Sequence, residues 1–138
     1  MDVLSLERRY SRYLRLVERI KSEIEKRYSS FPIVVHENDD WLLINQLGSA
    51  PGEIFRVSRK GQRIQLFDRT ACRTGEKDRG TIALFDLESD DDDDRLVDDF
   101  FYIFQHTLPE AISRQKRWWE VQKMKMAAED GYEEELDE

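Results

Sequence analysis

The stretch "EIFRVSRKGQRIQLFDR" (53–69) contains two runs rich in β-branched and aromatic residues on either side of Lys60-Gly61. Glycine tolerates the positive φ that a tight hairpin requires, so we expect these runs to be antiparallel neighbours. Three similar runs are "IVVH" (33–36), "WLLINQL" (41–47) and "TIALFDL" (81–87). Because no helical pattern separates the five runs, the sequence favours an antiparallel sheet over alternating parallel units.

Helical patterns lie before and after these strands. Apolar residues spaced by three and four positions extend from Leu6 to Phe31, which predicts a helix of about six turns that ends before Pro32. The same spacing returns after Leu87, and Thr107-Leu108-Pro109 predicts a break between two C-terminal helices, with Thr107 as the N-cap. We therefore predict an α+β fold in which the helices pack on one face of a five-stranded sheet.

The length of 138 residues fits one domain. We predict a single domain over residues 1–128 and an acidic disordered tail over residues 129–138, because that segment lacks an apolar stripe. No apolar run approaches the roughly 18 residues that span a bilayer, and Cys72 is the only cysteine, so we expect neither membrane association nor an internal disulfide. These features favour a cytoplasmic protein.

Opposite charges are segregated along the chain, although the formal net charge is −8. Residues 1–28 and the Arg-rich segments 56–79 and 114–125 are net basic, whereas residues 88–99 and 129–138 are net acidic. An acidic protein lacks the basic face that nonspecific nucleic-acid binding needs, so nucleic acid is the less favoured partner. A nucleic-acid-binding module that uses segments 56–79 and 114–125 remains an alternative.

Five consecutive aspartates, Asp90 to Asp94, form the acidic run. One interpretation is that they cap the helix that follows, because carboxylates suit the positive end of the helix dipole. The other is that they imitate nucleic acid toward a basic partner. Capping uses two or three carboxylates, so we expect the run to contribute more to binding than to folding. The predicted partner-binding residues of the run are Asp91, Asp92, Asp93 and Asp94.

A second candidate surface is the basic and aromatic segment "RQKRWWEVQKMKM" (114–126). Adjacent tryptophans on a helix point about 100° apart, so both are buried only where the helix is covered over a wide face. Exposed tryptophan beside arginine is typical of protein-binding surfaces, whereas the alternative is a tryptophan face that packs on the sheet. The predicted partner-binding residues of this segment are Arg114, Arg117, Trp118 and Trp119.

No hydrolase, phosphate-loop, dinucleotide-binding or zinc-protease motif occurs in the sequence. A small enzyme that uses Cys72 with His36 or His106 is a further alternative, because these are the side chains that titrate near neutrality. We expect no cofactor and no metal site, and whether the chain binds a small molecule is left open. The favoured function is a non-enzymatic interaction protein, an adaptor, chaperone or inhibitor, that binds another protein with a basic surface.

Overall fold

A computed structural model describes the backbone of residues 3–29, 33–38, 41–73 and 80–137, and the side chains of these residues except 4–6 and 129–137. The predicted α+β fold is confirmed. The elements in chain order are helix α1 (Val3–Arg27), strands β1 (Ile33–Asn38), β2 (Trp41–Gln46), β3 (Gly52–Lys60) and β4 (Arg63–Asp68), helix α2 (Arg69–Arg73), strand β5 (Thr81–Asp86) and helix α3 (Asp93–Asp137).

The five strands form one antiparallel sheet in the order β1-β2-β3-β4-β5. The predicted hairpin is confirmed, because Lys60 pairs with Arg63 and leaves a two-residue turn. Gly61 in that turn has a φ of 62°, which a β-carbon would strain. The sheet is therefore a simple meander, as predicted, although the short helix α2 lies between β4 and β5.

The helices cover one face of this sheet. On β2 the side chains of Leu42 and Ile44 are buried, and the register places them beside Val57 and Phe55 of β3 on the same face. The helical part of the core comes from α1 and the first half of α3, with Tyr13, Leu16, Val17, Ile20, Ile24, Phe100, Phe101, Phe104 and Leu108. The predicted α1 stripe is buried from Tyr13 to Ile24, but Tyr10 is exposed, and Phe31, Pro32 and the side chain of Leu6 lie outside the described residues.

The predicted break at Thr107-Leu108-Pro109 is wrong, because α3 is one continuous helix with Pro109 inside it. The buried residues Phe104, Leu108 and Ala111 continue one packed face across the proline, which holds the helix together. Thr107 is not an N-cap. Its hydroxyl donates to the carbonyl oxygens of Ile103 at 2.9 Å and Phe104 at 3.2 Å, as is common for threonine within a helix.

Two further features differ from the sequence interpretation. The short helix α2 was not predicted, because its residues are mostly polar. Asp68 begins it by accepting hydrogen bonds at Oδ1 from the backbone nitrogens of Thr70 at 2.8 Å and Ala71 at 3.4 Å. The expected boundary after residue 128 has no counterpart in the backbone, since α3 continues to Asp137. The independence of residues 129–138 from the folded domain therefore stays a prediction.

A proline substitution distinguishes one helix from two. Replacing the exposed Pro109 with alanine should raise the free energy of unfolding by about 1–2 kcal/mol, because alanine restores a backbone donor and removes the clash with the preceding turn. Urea denaturation measures this change. A loss of stability would instead indicate a second helix that begins at this proline, where its fixed φ is favourable.

Candidate functional site

The acidic run lies against the basic face of α1. Asp93 Oδ1 is 3.1 Å from Arg12 Nε, and its second oxygen is 3.4 Å from Arg15 Nε. One turn further along α1, Arg19 Nη2 is 2.6 Å from Asp94 Oδ1. Two of the four predicted binding residues in the run are therefore ion-paired within the chain, and they join the start of α3 to α1.

Arg12 is the central residue of this junction, and its side chain is only 15% exposed. Its guanidinium donates to the backbone oxygens of Leu87 at 2.9 Å and Ser89 at 2.8 Å, and also to the backbone oxygen of Asp91. These bonds satisfy carbonyl groups in the loop between β5 and α3. Arg12 thus fixes both the loop and the Asp93 carboxylate.

The remaining carboxylates of the run have different environments. Asp92 is the N-cap of α3, because its Oδ1 accepts the backbone N–H of Arg95 at 2.8 Å. Asp90 and Asp91 are exposed, and neither has a side-chain ion pair among the described residues. The run is consequently both a helix cap and an ion-pair junction, and its contribution to partner binding stays a prediction.

The basic segment of α3 is anchored to the end of β4 by a buried ion pair. Arg114 Nη2 binds Oδ2 of Asp68, whose side chain is 2% exposed. Arg114 Nε also donates to Thr70 Oγ1 at 3.1 Å. Since the second oxygen of Asp68 caps α2, one carboxylate holds both helices in place.

Two donors from α3 converge on one carbonyl group before β3. Gln115 Nε2 and Trp119 Nε1 lie 2.8 and 2.7 Å from the backbone oxygen of Pro51. Gln115 is 1% exposed and accepts a hydrogen bond from Arg73 of α2. Neither Gln115 nor Arg73 was among the predicted partner-binding residues. A glutamine in a charged helix and an arginine in a polar segment are usually exposed, so the sequence did not indicate that they would be packed together.

An open groove of about 470 Å³ runs between α2 and α3. Trp118 is half-buried in it, with the Trp119 ring 5.1 Å away edge-on and the Arg73 guanidinium 5.5 Å from its centroid. We call this the α2–α3 groove, and it is lined by Arg73, Arg114, Arg117, Trp118, Val121, Gln122 and Lys125. Three of the four residues predicted in this segment, Arg114, Arg117 and Trp118, line the groove. The fourth, Trp119, is not part of the lining but packs against Trp118.

The α2–α3 groove has an excess of positive charge. Arg114 is neutralised by Asp68, but neither Arg117 nor Lys125 has an ion-pair partner among the side chains that the structure describes. Partial burial lowers the pKa of Arg73, and the nearby positive charge of Arg69 lowers it further. The carboxylates of Glu53 and Asp68 act in the opposite direction and favour the charged form of Arg73, as a further anion in the groove would also do.

The Arg-rich segments predicted to bind nucleic acid are only partly brought together. Arg73 lies beside the basic part of α3, but Arg56 stacks on Trp41 at 4.3 Å and pairs with Glu53 at 2.8 Å on the sheet face away from the helices. Arg59 lies 5.5 Å from the ring of Tyr10 on α1. Residues 74–79 are outside the described part of the chain. The described cations of segment 56–79 therefore do not form one continuous surface with α3.

The structure gives no contact between Cys72 and either histidine among the described residues. Cys72 is half-buried in α2, whereas His36 is exposed on the edge strand β1. His106 Nδ1 is 2.6 Å from the backbone oxygen of Tyr102 in its own helix. No group of three or more His, Cys, Asp or Glu side chains that could hold a metal ion occurs in the described residues.

The described helices do not include one that is both long and apolar enough to cross a bilayer. The predicted binding residues are located in two charged regions, the α2–α3 groove and the junction between α1 and the acidic run. No family model, no curated protein and no solved structure matches this chain.

Proposed function

We propose that this chain is a non-enzymatic interaction protein, an adaptor, chaperone or inhibitor, whose α2–α3 groove binds an acidic segment of a partner protein. The observation that carries the proposal is that Arg117 and Lys125, which have no ion-pair partner among the described side chains, line a groove with a half-buried tryptophan. Arginine and tryptophan are the residues that most often dominate binding energy at protein interfaces. The proposed partner surface of this groove is acidic, in contrast to the basic partner that the sequence favoured.

Carboxylates suit this groove for two reasons. The guanidinium groups of Arg73 and Arg117 offer paired N–H donors that match the two oxygens of a carboxylate. A bound carboxylate would also offset the charge that Arg69 and burial make unfavourable on Arg73. Both effects are local, so they operate although the whole chain is acidic.

A protein partner fits the charge distribution better than nucleic acid does. Binding along a phosphate backbone needs a row of cations, whereas the described arginines of segment 56–79 lie on different faces. The net charge of −8 also opposes the approach of a polyanion. One binding experiment can therefore distinguish an acidic protein partner from two alternatives. These are nucleic acid and a basic protein that binds the exposed Asp90 and Asp91.

The experiment compares three labelled ligands, a Glu-rich peptide, a Lys-rich peptide and a single-stranded oligonucleotide. We expect the Glu-rich peptide to bind the full chain, and Arg117→Glu with Lys125→Glu to weaken this binding at least about 10-fold, because two attractions become repulsions. Fluorescence anisotropy measures the affinities, and the part of the tryptophan fluorescence change that is lost in Trp118→Phe reports occupancy of the groove.

The matched control is Lys60→Glu with Arg63→Glu, which makes the same charge change at the exposed β3–β4 turn. This variant should bind the Glu-rich peptide within about twofold of the unmodified chain once salt screens the long-range effect. Equal losses in the two variants would show that only net charge matters. Preferential binding of the Lys-rich peptide or the oligonucleotide would contradict the proposed function.

A further inference from the structure

We infer that the acidic segment bound by the α2–α3 groove is residues 129–138 of a second copy of this chain, so that two copies pair through antiparallel α3 helices. This inference rests on the proposed function and names its partner. The acidic segment contains seven Asp and Glu residues and no Lys or Arg. It therefore has the chemistry that the groove requires.

The second half of α3 has few described bonds to the rest of the chain. Trp119 is the last residue of this helix with a hydrogen bond to another element among the described residues. The helix nevertheless continues to Asp137, which is about 27 Å further at 1.5 Å per residue. Most of the stability of a helix in a protein comes from the packing of one of its faces, so a partner along this part of α3 would stabilise it.

The described side chains of this extension include apolar residues that face solvent. Val121, Met124 and Met126 are 48%, 71% and 49% exposed, and Trp118 is half-buried beside them. Apolar side chains bordered by charges are typical of the central part of a protein interface. A helix from a second copy would cover them.

The order of charges along α3 predicts the direction of pairing. Residues 114–125 carry five Lys and Arg against one Glu, and residues 129–137 of the acidic segment follow on the same helix. The centres of the two segments are about 14 residues, or about 21 Å, apart. An antiparallel copy with its two-fold axis near Met126 places each basic segment opposite the acidic segment of the other copy, and one axis creates both contacts.

The acidic segment does not reach the groove of its own chain. Because α3 is continuous, each residue after Lys125 lies further along the helix axis from the groove. Pairing between chains is therefore the arrangement that brings the seven carboxylates to Arg73, Arg117 and Lys125 without breaking the helix.

Charge-swapped full-length chains test the pairing. The first variant carries Arg117→Glu, Lys123→Glu and Lys125→Glu, and the second carries Glu133→Lys, Glu134→Lys and Glu135→Lys. We expect each variant alone to dissociate at least about 10-fold more readily than the unmodified chain, and their equimolar mixture to form heterodimers, because both contacts are again complementary. Sedimentation velocity at about 50 mM and about 0.5 M salt measures the dimer fraction, which should fall at high salt.

The Lys60→Glu and Arg63→Glu variant is again the control, and it should dimerise like the unmodified chain. A chain that stays monomeric at all concentrations, or a dimer that neither swapped variant changes, would overturn the inference. A titration of the second variant with a Glu-rich peptide shows whether the proposed function fails as well, because this variant keeps the groove but carries three lysines in the acidic segment. Binding of the peptide by a chain that never dimerises would retain the groove as a site for acidic segments, whereas no binding would exclude both proposals.

Discussion

Replacing Arg12 with methionine should lower the free energy of unfolding by about 2–3 kcal/mol, because the variant keeps the apolar stem but removes a half-buried guanidinium. The backbone oxygens of Leu87 and Ser89 would lose their donor, and the Asp93 carboxylate would lose its closest cation. Hydrogen bonds to a charged group contribute about 1.5–3 kcal/mol each in favourable cases, and partial solvent exposure here reduces that value.

Arg8→Met is the matched control, since Arg8 lies on the same helix, is exposed and has no described partner. It should change the free energy of unfolding by less than about 0.5 kcal/mol. Urea denaturation of both variants at low and high salt measures the difference. If Arg12→Met is as stable as Arg8→Met, the junction between α1 and the acidic run contributes nothing to folding.

The elements of this junction were predictable from the sequence, but the contact between them was not. The net basic character of residues 1–28 and the acidic run were both recognised, and the long helix and the helix cap were predicted. What the sequence could not indicate was that Arg12, Arg15 and Arg19 lie one turn apart on the face of α1 that meets the start of α3. That contact depends on how the helices pack across the sheet, and local periodicity carries no information about it.

The junction changes the expected role of the run as well. The sequence favoured a contribution to binding over one to folding, because consecutive aspartates repel one another. In the structure Asp92 caps α3 and Asp93 and Asp94 are ion-paired, so their charges are partly neutralised within the chain. Neutralising these three residues should therefore reduce stability, whereas the contribution of the run to partner binding stays a prediction.

The sheet was predictable because its signals are local. Each strand is a short β-rich run, and Gly61 marks the hairpin between two of them. The continuity of α3 was not predictable, because proline is common in the first turn of a helix and Pro109 is therefore compatible with the start of a new one. Only the burial of Leu108 and Ala111 on one face shows that the helix continues. Arg114 and Trp118 were predicted from the basic and aromatic composition of their segment. Arg73 was not, because it lies in the groove as part of α2, the short helix that Asp68 caps.

Replacing Arg114 with methionine is expected to have the largest effect on stability, a loss of about 3–4 kcal/mol. The substitution would leave the carboxylate of Asp68 buried without its cation, and removal of one partner from a buried pair typically costs about 3–5 kcal/mol. Arg117→Met, three residues along the same helix but exposed, should be nearly neutral and is the control. Equal stability of the two variants would contradict a structural role for the pair.

A double-mutant cycle separates the ion pair from simple loss of packing. Asp68→Asn keeps an oxygen that can cap α2 through Thr70 and Ala71 but removes the negative charge. Adding it to Arg114→Met should therefore cost at least about 1.5 kcal/mol less than the sum of the two single changes. Additive losses would show that Arg114 stabilises the fold through contacts other than its ion pair with Asp68. A positive coupling would show that the buried charge pair fixes α3 against α2, and hence holds open the groove in which Arg117 and Lys125 have no ion-pair partner among the described side chains.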